Sequence, residues 1–113
     1  MSYYLKIFTR RESYSHWFCT DSFTIENNTC LDIDSDNDLS IRYPGRTYLI
    51  TYSKIRDRFD RKYIFYNGNK IIYSLEIDFS ENITKYRPEF ERILEQIKVQ
   101  MEQEKVKNLL DKI

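Results

Sequence analysis

The chain predicts an α+β fold: an antiparallel sheet of about five to six strands over residues 3–79, with one long helix over 88–113 packed on one face. Three observations carry this reading. Up to Phe79, aromatic and β-branched runs alternate with turn-forming pairs. Beyond Phe79 the apolar spacing changes from two to three or four, the repeat of a helix. The links between the runs are too short for the crossovers that parallel strands need, which makes the sheet antiparallel.

Taken in order, Tyr3 to Arg10 and Tyr14 to Cys19 are strands joined by the polar Arg10-Arg11-Glu12-Ser13, a first hairpin. Ser22 to Ile25 forms a short third strand that ends at Asn27-Asn28, a pair tolerant of turn conformations. Ser40 to Tyr43 leads through Pro44-Gly45 into Arg46 to Tyr52; proline presets one turn angle and glycine accepts the other. Lys62 to Tyr66 and Lys70 to Phe79 flank Asn67-Gly68-Asn69, where Asn-Gly is the strongest short-range hairpin signal.

Pro88 stands where a first helical turn accepts a missing N–H. Phe90, Ile93, Leu94, Ile97 and Met101 then fall in one narrow stripe at 100° per residue, the face expected to lie on the sheet. Val99, Val106, Leu109, Leu110 and Ile113 fall on the opposite side. One straight helix cannot bury both stripes within the chain. Either it bends or stops near Glu102 to Lys105, the arrangement ranked first, or its distal half covers its apolar side with a partner or a second copy.

Length and composition bound the rest. At 113 residues one domain, 1–113, is expected, with no repeat and no flexible linker to divide it. Eighteen basic residues balance eighteen acidic ones, so no overall field draws the protein to nucleic acid or to an anionic membrane. The opening residues lack the apolar core of a signal peptide and no apolar run is long enough to span a bilayer, from which a cytoplasmic location is expected. Cys19 and Cys30 have no metal-ligand spacing and read as two small reduced side chains. The absence of alanine, with fourteen isoleucines and ten tyrosines, is what an AT-rich coding sequence produces, so tyrosine abundance is not in itself a functional signal.

Catalytic patterns are weak. His16, the single histidine, would sit on a strand face opposite Cys19, which disfavours a Cys–His pair, and no serine elbow accompanies it. The segment Asp32-Ile33-Asp34-Ser35-Asp36-Asn37-Asp38 places carboxylates at alternating positions, as calcium loops do. It fails as such a loop: the sixth position is Asn37 rather than glycine, and the twelfth is Tyr43 rather than glutamate. A solvated acidic turn is expected instead, with no metal and no cofactor.

Charge is segregated along the chain. Residues 21–40 hold six acids and no base, whereas 41–72 hold eight bases against Asp57 and Asp60. An acidic loop suits a basic protein surface, and Asp32, Asp34, Asp36 and Asp38, with Tyr43, are the expected partner contacts. The basic segment offers a nucleic-acid alternative through Arg56, Arg58 and Arg61 within 42–62, although interspersed acids break any phosphate track. Aromatics at Tyr43, Tyr48, Tyr52, Phe59, Tyr63, Phe65 and Tyr66 suit sheet packing more than base stacking. The expected function is therefore non-enzymatic protein binding, with an inhibitor or immunity protein that masks a basic toxin or nuclease as the leading form. Self-association through Val106, Leu109, Leu110 and Ile113 is the nearest alternative.

Overall fold

The computed structural model describes residues 2–11, 16–33, 39–50, 59–78 and 80–112. Seven strands precede a short 3-10 turn and one long helix: β1 (Tyr3–Arg10), β2 (Phe18–Ile25), β3 (Cys30–Ile33), β4 (Leu39–Tyr43), β5 (Arg46–Ile50), β6 (Asp60–Asn67), β7 (Lys70–Ile77), the 3-10 turn Ile83–Tyr86, and α1 (Arg87–Leu110). The α+β class and the antiparallel pairing are as the sequence predicts, but the strands form two sheets rather than one. A four-stranded sheet has the order β2-β1-β6-β7 and a three-stranded sheet the order β3-β4-β5. Local pattern marks strands but not their partners, and β1 joins β6, from the far end of the strand-forming region, with Tyr3 opposite Asn67 and Arg10 opposite Asp60.

Two further expectations are corrected. The two strands expected at Tyr14 to Cys19 and Ser22 to Ile25 are not divided after Cys19, because β2 runs unbroken from Phe18 to Ile25; Tyr14 and Ser15 lie outside the described residues. Its register against β1 shifts between Ile7 and Phe8, a bulge that absorbs the polar Thr20, whose hydroxyl donates to the Ile7 carbonyl at 3.2 Å. Asp32, expected in an acidic turn, instead belongs to β3, a strand in which Leu31 and Ile33 point inward opposite Ile41 and Leu39.

The turns follow from their residues. Gly45, at φ 86°, follows Pro44 in the link that sets Tyr43 opposite Arg46, the residue pattern of a type II turn. The β6–β7 link turns on Gly68 and Asn69, with Gly68 at φ 60° as the first of its two central residues.

Alternation selects the core. Tyr3, Leu5 and Ile7 of β1, Tyr63 and Phe65 of β6, and Ile77 of β7 face α1, and Ile33, Leu39, Ile41 and Ile50 of the small sheet join the same buried cluster. The helix contributes Phe90, Ile93, Leu94 and Ile97, with Met101 half-buried beside them, as its spacing predicts. The Phe90 ring meets Tyr63 edge-on at 5.2 Å and Phe65 at 6.0 Å, geometry that aromatic quadrupoles favour. Two tyrosines tie the helix down: Tyr73 donates its hydroxyl to Glu89, and Tyr3 donates to Glu104 at 2.8 Å.

The helix starts at Arg87, directly after the 3-10 turn, which Asn82 caps by accepting from the Thr84 N–H at 2.9 Å. It then continues without interruption to Leu110, about 36 Å at 1.5 Å per residue. No break falls at Glu102 to Lys105, so the apolar side of the distal half is not folded back onto the sheets. Among the described residues no helix is long and apolar enough to cross a membrane.

Candidate binding surfaces

Of the residues that charge counting groups together, the structure describes Asp32 and Tyr43. Asp32 is exposed on the outer face of β3, opposite Ser40, while Asp34, Asp36 and Asp38 lie outside the described residues. Tyr43 is at the other end of β4 from that acidic link, about 13 Å along the strand at 3.3 Å per residue. Among the described residues it does not meet Asp32, which lies opposite Ser40. Its ring is half-buried against the core, and its hydroxyl donates to the Thr24 carbonyl at 2.6 Å. Among the described residues no group of histidine, cysteine, aspartate or glutamate side chains is arranged to hold a metal ion.

The arginine alternative divides in the same way. Arg56 and Arg58 lie outside the described residues. Arg61 sits within β6, opposite Thr9 on one side and Ile77 on the other, half-buried on the sheet rather than on a surface track. His16 precedes β2 and is exposed, so the strand alternation expected to orient it against Cys19 does not reach it.

Among the described residues three surfaces stand out. The first is the distal half of α1, where Val99, Val106, Leu109 and Leu110 are 47%, 48%, 57% and 64% exposed. Ile113 lies outside the described residues. Leu109 also borders a groove of about 350 Å³ between the helix and Asn27 in the turn after β2, lined further by Met101, Glu104 and Lys105. Glu104 is held on that side by the Tyr3 hydroxyl, whose pKa is pushed up to about 12 by burial first and by the Glu104 carboxylate second.

The second surface is the outer side of the large sheet, which carries Tyr4, Lys6 and Phe8 of β1 beside Lys62 and Tyr66 of β6, with Ile64 buried between them. Lys62 lies over the Trp17 ring at 4.5 Å and Arg10 over the same ring at 4.2 Å, while Arg10 also pairs with Asp60 at 3.1 Å. The cavity beneath, about 280 Å³, is lined by Asp60, Glu76, Asp78 and Glu81 besides Arg10 and Trp17, so its cation is already matched by carboxylates. Only part of this cluster was legible in sequence: the β1–β2 hairpin, with Thr9 opposite Phe18, brings Arg10 beside Trp17, but Lys62 reaches them through the long-range β1–β6 pairing.

The third surface is a cleft of about 270 Å³ where β2 approaches the β4–β5 hairpin, lined by Ser22, Phe23, Thr24, Glu26, Tyr43, Arg46 and Tyr48. Tyr48 stands 5.9 Å from Phe23 and 6.0 Å edge-on from Tyr43. The Arg46 guanidinium lies 5.9 Å and 5.7 Å from the Tyr43 and Tyr48 ring centres. Burial raises the Tyr43 phenol, and the charge of Glu26 adds to that, which keeps it protonated as a donor to Thr24. Pro44-Gly45 makes the Tyr43–Arg46 pairing readable from sequence, whereas the approach of Phe23 is long-range and was missed. No known protein family, characterised protein or solved structure matches the chain.

Proposed function

We propose that this protein is a non-enzymatic, cytoplasmic protein-binding module that engages its partner through the distal half of α1. The observation that carries the proposal is the exposed apolar side of an unbroken helix, Val99, Val106, Leu109 and Leu110, opposite the stripe that enters the core. Solvent-facing helix positions ordinarily carry polar side chains, and several large aliphatic residues along one side mark a contact that remains to be covered. Asp32 and the acidic residues that follow it in sequence would add charge complementarity to a basic partner, in keeping with an inhibitor or immunity protein that masks a toxin or nuclease.

The test replaces both leucines, Leu109→Asp with Leu110→Asp, and follows partner retention by affinity capture, self-association by sedimentation equilibrium, and unfolding by circular dichroism. The expected result is loss of the partner, about a hundredfold or more in affinity for two buried leucines, with the melting curve unchanged. Loss of a dimer instead would assign the stripe to a second copy of the chain. Global unfolding of the double variant would show that the stripe belongs to the core and sink the proposal.

A further inference from the structure

We propose that the cleft between β2 and the β4–β5 hairpin binds a nucleotide unit, free or within a single strand, with Tyr48 stacking on the base, Arg46 meeting the phosphate and Glu26 accepting from the base edge. The site is independent of the apolar side of α1. Its walls are already assembled: Tyr43 is locked by its hydroxyl bond to Thr24, Tyr48 packs edge-on against it, and Phe23 closes the third side. Tyr48 nevertheless keeps 40% of its surface exposed, which leaves ring area for a ligand. A base offers the flat π-surface that such a ring takes regardless of base identity.

Charge in the cleft is arranged for a ligand with an anionic and a hydrogen-donating end. Arg46 is on the tip of a hairpin whose residues from Ser40 to Ile50 include Arg42 and no acid. Among the described residues Arg10 and Asp60 form an ion pair, whereas Arg46 forms none and has tyrosine rings as its neighbours. A guanidinium held over rings keeps its N–H fork available for a phosphate, to which it can bond through two parallel contacts. Glu26 lines the same cleft, and a carboxylate accepts from the amino group of cytosine in base recognition. The hydroxyls of Ser22 and Thr24 supply further polar contacts on the β2 side. On this reading Arg46 is the phosphate contact of the cleft.

The experiment titrates the intact protein with 5′-CMP and 5′-GMP by tyrosine fluorescence, and with short fluorescein-labelled oligocytidylate and oligodeoxycytidylate by anisotropy. The variants are Arg46→Gln, Tyr48→Ala and Tyr48→Phe, each checked for an unchanged melting curve. Tyr48→Ala is expected to weaken binding about tenfold and Tyr48→Phe to retain it, because the phenyl ring still stacks. Arg46→Gln is expected to flatten the dependence of log affinity on log salt by about 0.7, the value for one phosphate contact on a single strand. Binding of both mononucleotides and oligomers supports the site with the free nucleotide as a sufficient ligand, and binding of oligomers alone supports it with the strand as the source. Absence of binding by every probe overturns the proposal, as does binding that Arg46→Gln and Tyr48→Ala leave unaltered.

Discussion

Tyr3 and Tyr73 each hold a part of the helix to the sheet through one hydroxyl, and both phenols are pushed up to about 12, by burial first and by the accepting carboxylate second. In the unfolded chain a tyrosine ionises near pH 10. The folded form therefore retains its protons where the unfolded form sheds them, and the stability these groups supply is complete below pH 10 and lost as pH rises toward 12. Denaturant unfolding across that range is expected to show the decline. Tyr3→Phe should cost about 1 kcal/mol at neutral pH, the net value of one hydrogen bond, and should make the alkaline decline shallower. A variant as sensitive to alkali as the parent would remove Tyr3 from this account. At this scale the sequence was only partly legible: Tyr43 was singled out and does line a cleft, but the neighbours described there, Phe23, Tyr48 and Arg46, were not foreseen as its companions.

At the scale of elements, the two stripes of α1 were legible because helical periodicity is a property of a continuous stretch of sequence. Their consequences are opposite. Ile97 is fully buried, and Ile97→Ala is expected to lower stability by about 2–5 kcal/mol through lost transfer energy and the cavity left behind. Val106→Ala on the other side is expected to stay within about 0.5 kcal/mol, as surface substitutions do, measured on the purified chain by urea unfolding. Equal losses at both positions would mean that the outer stripe is packed. Strands were harder to read. β2 was divided because Thr20 and Asp21 interrupt its apolar character, and a bulge, which has no simple sequence signature, absorbs the interruption. β3 was missed because its two inward residues, Leu31 and Ile33, stand among acids that argue for a turn.

For the whole molecule, the division into two sheets was not legible, since alternation reports which face of a strand is buried and not which strand lies beside it. The two sheets nevertheless share one buried cluster, with Leu5 from the larger and Ile41 from the smaller both packed in it. Leu5→Ala and Ile41→Ala are accordingly expected to shift the same unfolding transition, with far-ultraviolet and aromatic signals moving together. A separate transition for Ile41→Ala would show that the small sheet is a distinct cooperative unit.

The pairing of β1 with β6 also has a kinetic side. Of the described strands β1 is made first, and it finds its central neighbour β6 only after four others and their links have been made. The β1–β2 hairpin must wait with Leu5 and Ile7 uncovered, and α1, which closes that face, is made after all seven described strands. Closing such a long loop is entropically costly before any contact rewards it, so folding belongs to the slow, millisecond-to-second regime of non-local β topologies. Until the helix arrives, the nascent chain presents an apolar sheet face to whatever chaperone or neighbouring chain is near.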